Sequence, residues 1–156
     1  MRTVFLAAFW TLLLDQVTKI LVVHVLDLRT RGEIDVLPPV LNFRMAWNEG
    51  INFGLFAGNS DVTRWILIAL ALLISGTVVY WVWRDRPRRL GLIGAGMLIG
   101  GALGNVIDRI LYGAVADFLN MSCCGIENPF AFNVADIAIF AGAIALVLVP
   151  AEKKGR

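Results

Sequence analysis

Four long apolar stretches constrain the fold of this chain most strongly. They occupy residues 4–24, 65–83, 90–107 and 130–149. Each is about 18 to 21 residues long, the length that an α-helix needs to cross roughly 30 Å of hydrocarbon. The chain is 58% hydrophobic and only 17% charged, which is far more apolar than a soluble domain. The pattern predicts an all-α membrane protein with four transmembrane helices, forming a single domain over residues 1–156.

Basic residues cluster on one side of this four-pass arrangement, and the segments on the other side carry fewer of them. Arg2, the link 84–89 and the tail 152–156 all carry them. Cytoplasmic loops are enriched in Lys and Arg, so we expect both termini to face the cytoplasm and residues 25–64 and 108–129 to lie outside. The net charge is only +2, and a basic loop next to a membrane segment is usually an orientation signal. We therefore expect no nucleic-acid partner. The first segment also has the basic start and apolar run of a signal peptide, but no small-residue cleavage site follows it.

The first outer segment contains a strand pattern. Large apolar residues occupy every second position of this stretch, at Leu41, Phe43, Met45 and Trp47, with Asn42, Arg44, Ala46 and Asn48 between them. This is the period of a half-buried strand. Two prolines precede this run, and residues 48–54 supply turn formers after it. We therefore expect a small extracytoplasmic β-sheet with an outer loop.

The third segment carries a ladder of small residues. Its glycines are Gly96, Gly100, Gly101 and Gly104. Glycines four apart let another helix backbone approach closely, and the fourth segment has Ala138 and Gly142 at the same spacing. We expect these two helices to pack together, with their outer ends side by side.

Two aspartates flank the entrance of the last segment, Asp117 in GAVADF and Asp136 in FNVADIAIF. A carboxylate in an apolar segment is costly and marks a functional site. Asn105, Asp108 and Arg109 share one helix face near the same outer end. Two neighbouring carboxylates share one proton and can activate a water for attack on an amide carbonyl. This is the chemistry of aspartic peptidases, and the helix dipole favours Asp136 as the anionic member.

The same residues are also compatible with structural roles. Asn133 and Asp136 match an N-cap and the third helical position, and Asn48 suits a turn. Asp15 and Lys19 are four apart, as in a structural ion pair. The acidic residues are also compatible with a small proton- or cation-translocating membrane protein.

No metal or cofactor is expected from this sequence. His24 is the only histidine, and Cys123 and Cys124 are adjacent. Such residues offer almost no ligands for a zinc site, and adjacent cysteines do not favour a disulfide with each other.

Five motifs, in order along the chain, carry a family resemblance: DQVTK, WNEGINFG, GGALGNVIDR, GAVADF and FNVADIAI. Together they resemble the bacterial lipoprotein signal peptidases, or signal peptidase II, over nearly the whole chain. The resemblance implies an intramembrane aspartic endopeptidase of the bacterial inner membrane, with its active site near the periplasmic face. Such an enzyme removes signal peptides from prolipoproteins on the amino side of a diacylglyceryl-modified cysteine.

The resemblance also assigns residues and partners. It implies Asp117 and Asp136 as the catalytic pair. The supporting positions are Asp15, Lys19, Asn48, Gly50, Asn105, Asp108, Arg109, Asn133 and Ala135. The implied partners are diacylglyceryl-modified prolipoproteins, membrane lipid and the cyclic peptide inhibitor globomycin. Two departures from the family pattern, at Cys123–Cys124 and at Ile137, leave the substrate preference of the outer loop undefined.

Overall fold

The computed structural model describes residues 1–50, 60–122 and 128–148. Within them the chain forms five helices and three strands. These are α1 (Arg2–Lys19), continued by a π-helical segment (Ile20–Val25), then α2 (Leu28–Arg31), β1 (Glu33–Leu37), β2 (Leu41–Asn48), α3 (Ser60–Asp85), α4 (Arg89–Tyr112), β3 (Val115–Met121) and α5 (Val134–Leu148). The predicted class, a helical membrane protein with a small sheet, is confirmed.

Among the described residues, three helical spans are long and apolar enough to cross a membrane: Arg2–Val25, Asp61–Asp85 and Arg89–Tyr112. The apolar helix α5 is shorter, at 15 residues. The predicted fourth segment began four residues too early, because residues 130–133 precede the helix. Phe132 instead makes backbone hydrogen bonds with Leu119 of β3, so this part of the apolar run belongs to the sheet end of the molecule.

Helix α4 lies at the centre of the bundle and packs against α1, α3 and α5. The predicted packing of the third and fourth segments is confirmed, but the glycine assignment was partly wrong. Side chains built on Gly96 and Gly100 would meet α1, whereas those on Gly94 and Gly101 would meet α5. A helix that packs between two neighbours needs small residues on two of its faces. The sequence prediction assigned the ladder glycines of the third segment to one face, towards the fourth segment.

The three strands form an antiparallel sheet in the order β1-β2-β3. The predicted strand is β2, the central one. Strand β3 was missed because its first four residues are all buried, so it lacks the alternation that identifies half-buried strands. The sheet follows directly from the end of α4, through a turn at Gly113 with φ +83°.

A small apolar cluster fixes the sheet to the bundle. Val22 of the π-helical segment, Leu28 of α2 and Phe118 of β3 are buried together. Phe43 of β2 packs edge-to-face on Phe118, with ring centroids 5.8 Å apart. This attachment fixes β3, which carries Asp117, relative to α1.

Candidate active site

Asp117 lies on β3, where the sheet meets the helices. It pairs with Ala46 of β2 in the sheet register and is only 3% exposed. Both of its carboxylate oxygens accept hydrogen bonds from side-chain amides. Asn133 Nδ2 donates to Oδ1 at 2.7 Å, and Asn48 Nδ2 donates to Oδ2 at 3.1 Å. The carboxylate is therefore held from a strand on one side and from the start of a helix on the other.

Asp136 lies in the first turn of α5 and is half-buried. Its Oδ1 accepts a hydrogen bond from Asn105 Nδ2 at 2.9 Å, and its Oδ2 accepts one from the Asn133 backbone N–H at 3.2 Å. In return, Asn133 Oδ1 accepts the Asp136 backbone N–H at 2.9 Å. The predicted capping role of these two residues is confirmed, and it places Asp136 in the same cluster as Asp117.

Asn133 is the residue that joins the two aspartates. It is fully buried, its side chain contacts Asp117, and its backbone contacts Asp136. The same side-chain amide also lies 3.3 Å from Asn105 Oδ1. Topology thus brings Asp117, Asp136 and Asn105 to one end of the bundle, as the sequence predicted.

Burial raises the pKa of the Asp117 carboxyl from its ordinary value to about 7, and the negative charge of Asp136 acts in the same direction. Hydrogen bonds from Asn48 and Asn133 and the charge of Lys19 oppose this rise. A carboxyl with such a pKa holds a proton part of the time at neutral pH. In its protonated form the Asp117 carboxyl can donate a hydrogen bond, which an ionised carboxylate cannot.

A buried ion-pair network lies next to the two aspartates. The predicted pair of Asp15 and Lys19 is present, with Nζ to Oδ2 at 2.8 Å, and Lys19 makes a second ion pair with Asp108 Oδ2 at 2.8 Å. All three side chains are buried. Gln16 Nε2 donates to Asp15 Oδ2 and to Asp108 Oδ1, each at 3.1 Å.

Gln16 was missed by the sequence reasoning, although it lies inside the DQVTK motif. Only the charged ends of that motif, Asp15 and Lys19, stood out in the sequence. The amide of Gln16 joins α1 to α4, and an uncharged side chain on a helix gives no sequence signal for such a contact.

The other predicted positions surround the aspartates. Arg109 Nη1 donates to the Asn105 carbonyl at 3.4 Å. Its positive charge also attracts the negative charges of Asp117 and Asp136. Within the described residues, Arg109 Nε is buried without a hydrogen-bond partner. Gly50, at φ +127°, donates its N–H to Asn48 Oδ1 at 3.1 Å, so Asn48 forms a turn as well as contacting Asp117.

Ala135 lies where α5 packs against α4. Ala135 is fully buried, and a Cβ built on Gly104 would lie 3.7 Å from its Cβ. Among the described residues, no group of three or more His, Cys, Asp or Glu could hold a metal ion. Cys123 and Cys124 lie outside the described residues.

Apolar helices that end in a small sheet, with two aspartates at the junction, define a helical membrane protein with a buried two-carboxylate site. The family model described as signal peptidase (SPase) II matches residues 7–150. The chain therefore belongs to the signal peptidase II family, and the predicted resemblance is confirmed. This is a family of aspartic peptidases, so the chain is an enzyme of the peptidase class.

Individual relatives agree with this assignment. The lipoprotein signal peptidase of Beijerinckia indica subsp. indica is 43% identical over 143 residues, which cover 92% of this chain and 84% of the relative. That of Methylobacterium radiotolerans is 41% identical over 155 residues, covering 99% and 89% respectively. A bacterial membrane enzyme solved by the in meso method at 1.9 Å resolution is 28% identical, with a TM-score of 0.80 over 95% of this chain and 92% of that chain.

Proposed function

We propose that this chain removes signal peptides from prolipoproteins with Asp117 and Asp136 as its catalytic pair. Membership of the lipoprotein signal peptidase family supports the cleavage of prolipoprotein signal peptides. The observation that carries the residue assignment is the position of Asn133, which donates hydrogen bonds to both carboxylates. One buried residue in contact with both acids favours a single two-carboxylate site over two independent structural roles.

In the proposed mechanism the pair holds one proton and one negative charge. The anionic member, Asp136, accepts a proton from a water molecule while the water oxygen attacks the scissile amide carbonyl. The protonated member, Asp117, donates a hydrogen bond to the carbonyl oxygen as negative charge develops there. Asp136 then returns its proton to the leaving nitrogen as the C–N bond breaks. The raised pKa of Asp117, about 7, supports its role as the protonated member.

The surrounding residues orient the pair. Asn48, Asn105 and Asn133 fix individual carboxylate oxygens through the hydrogen bonds described above. Arg109 supplies positive charge near both acids and stabilises the negative charge that develops during water attack. Gly50 and Ala135 provide the turn and the small side chain that let these groups approach one another.

The proposed substrate is a prolipoprotein whose cysteine carries a diacylglyceryl group, and cleavage falls on the amino side of that cysteine. Two acyl chains anchor such a substrate in the bilayer, since each buried methylene adds about 0.8 kcal/mol of membrane affinity. We place the whole chain, as one domain, in the bacterial inner membrane with both termini cytoplasmic and the aspartates near the periplasmic face. Globomycin-type cyclic peptides are the proposed inhibitors.

The test uses purified protein in detergent and one prolipoprotein in two forms, with and without the diacylglyceryl group. We expect cleavage of the modified form only, and a product that mass spectrometry shows to begin with the modified cysteine. Globomycin should block the reaction, and a metal chelator should leave it unchanged. Equal cleavage of the unmodified form, a different cleaved bond or strong inhibition by the chelator would contradict the proposal.

A further inference from the structure

We infer that Lys19 is a positioning residue that holds two backbone segments in place, each leading into one of the two aspartates. Its ammonium bridges the buried carboxylates of Asp15 and Asp108. Each of these carboxylates accepts the peptide N–H of the residue that immediately precedes Asp117 or Asp136. We call the set Asp15, Lys19 and Asp108 the Lys19 clamp. Its effect on catalysis rests on the proposed function.

The first arm of the clamp reaches β3. Asp108, in the last turns of α4, accepts the backbone N–H of Ala116 at its Oδ2, over 3.2 Å. Both residues are buried. Since Ala116 is bonded directly to Asp117, this contact fixes where the Asp117 backbone emerges from the strand.

The second arm reaches α5. Asp15 accepts the backbone N–H of Ala135 at its Oδ1, over 2.9 Å. Ala135 lies in the first turn of α5, where backbone N–H groups have no partner within the helix. Asp15 of α1 supplies that partner and thereby fixes the position of the helix start that carries Asp136.

Lys19 makes the two arms one unit. Its Nζ lies 2.8 Å from Asp15 Oδ2 and 2.8 Å from Asp108 Oδ2. Removing one partner from a buried ion pair leaves an uncompensated charge. Without the ammonium, the two buried carboxylates lose the counter-charge that holds them side by side, so their bonds to the two peptide N–H groups weaken. One side chain on α1 thus controls the placement of β3 and α5 together.

The consequence is a geometric one. A misplacement of about 1 Å in a reacting group can lower a catalysed rate by about 10²-fold. Loss of Lys19 should therefore reduce the rate of the chemical step, although among the described residues its ammonium donates to Asp15 and, at 3.4 Å, to Asn105 Oδ1 rather than to Asp117 or Asp136. Its role is distinct from that of Asn133, which contacts both aspartates directly.

The test compares Lys19→Met with Val17→Met, which introduces the same side chain at a half-exposed position of the same helix. Amide hydrogen exchange of the full-length protein in detergent is followed at Ala116 and Ala135. We expect exchange at both amides to become about tenfold faster in Lys19→Met and to stay unchanged in Val17→Met. In the cleavage assay, kcat should fall by about 10²-fold in Lys19→Met with KM nearly unchanged.

A second pair of variants keeps the test decisive if Lys19→Met does not fold. Asp15→Asn retains an oxygen that can accept the Ala135 N–H, whereas Asp15→Ala removes it. Exchange at Ala135 should accelerate far more in Asp15→Ala than in Asp15→Asn, and cleavage should follow the same order. Unchanged exchange at Ala135 in Asp15→Ala would overturn the clamp, as would unchanged exchange at both amides in a folded Lys19→Met or a loss of activity confined to KM.

Failure of the proposed function is recognised separately. Hydrogen exchange at Ala116 and Ala135 reports on the clamp whether or not the protein cleaves a prolipoprotein. Retained cleavage in Asp117→Asn would contradict the proposed function and leave the exchange result standing.

Discussion

Asn133 and Asp136 cap each other at the start of α5. The Asn133 side chain accepts the Asp136 backbone N–H at 2.9 Å, and the Asp136 side chain accepts the Asn133 backbone N–H at 3.2 Å. This reciprocal pair satisfies two N–H groups that a helix start leaves free. The positive end of the helix dipole also favours a negative charge on Asp136. Capping and the proposed catalytic role thus use the same atoms.

Asn133 variants can separate these two roles. Serine is a good N-cap, but it lacks the longer side-chain amide whose Nδ2 donates to Asp117. Both variants lose the buried bond to Asp117, so we expect Asn133→Ser to be more stable than Asn133→Ala by about 1 kcal/mol, the contribution of the cap that serine keeps. Both should lower kcat about tenfold or more, because a hydrogen bond to the Asp117 carboxyl is lost. Thermal unfolding and cleavage rates check this, and full activity in Asn133→Ser would refute it.

Gly104 is the point where α4 makes room for Asp15. A Cβ at this position would press on the Asp15 carboxylate, with its Cγ at 3.2 Å. Gly104→Ala should destabilise the protein by about 1–3 kcal/mol and lower cleavage by displacing Asp15. In the control Gly76→Ala on α3, the new methyl meets nothing within 4 Å and should be neutral or slightly stabilising. Similar melting temperatures and rates for the two variants would contradict this explanation.

The alkaline limit of activity should depend on Asn48. Its amide donates to the ionised Asp117 carboxylate and so lowers the Asp117 pKa, against the burial that raises it to about 7. Removing that donor in Asn48→Ala leaves the proton more tightly held. The alkaline limb of the kcat/KM profile should therefore move to higher pH.

A matched control for this shift lies on the same strand. Asn42 donates to Glu33 of β1 at 3.4 Å, away from Asp117. Asn42→Ala should leave the limb in place. If the alkaline limb of the kcat/KM profile of Asn48→Ala is unchanged or moves to lower pH, ionisation of Asp117 does not set that limb.

The gathering of the aspartates was predictable because it depends on topology. Spans of adequate length and the distribution of arginines require Asp117 and Asp136 to return to the same end of the bundle. The helical spacing of Asn105 and Arg109 then places both residues on one face. These inferences need only lengths, charges and period, and the sequence contains all three.

Other features depend on contacts that have no periodic signature. Strand β3 is buried on both faces, so its residues do not alternate. Gly96 and Gly100 lie against α1 because α4 is central, a fact about neighbours that a single helix sequence does not carry. The backbone bonds of Ala116 and Ala135 to Asp108 and Asp15 likewise arise only when four elements meet.

The central claim, that Asp117 and Asp136 form one catalytic pair, is tested most directly by replacing each with asparagine. The control is Asp35→Asn on the exposed strand β1, and all variants are compared at matched folding by circular dichroism and thermal unfolding. Cleavage of the diacylglyceryl prolipoprotein should fall by about 10³-fold or more in Asp117→Asn and in Asp136→Asn, and stay at the wild-type rate in Asp35→Asn. A folded Asp117→Asn or Asp136→Asn enzyme that cleaves near the wild-type rate would contradict the account.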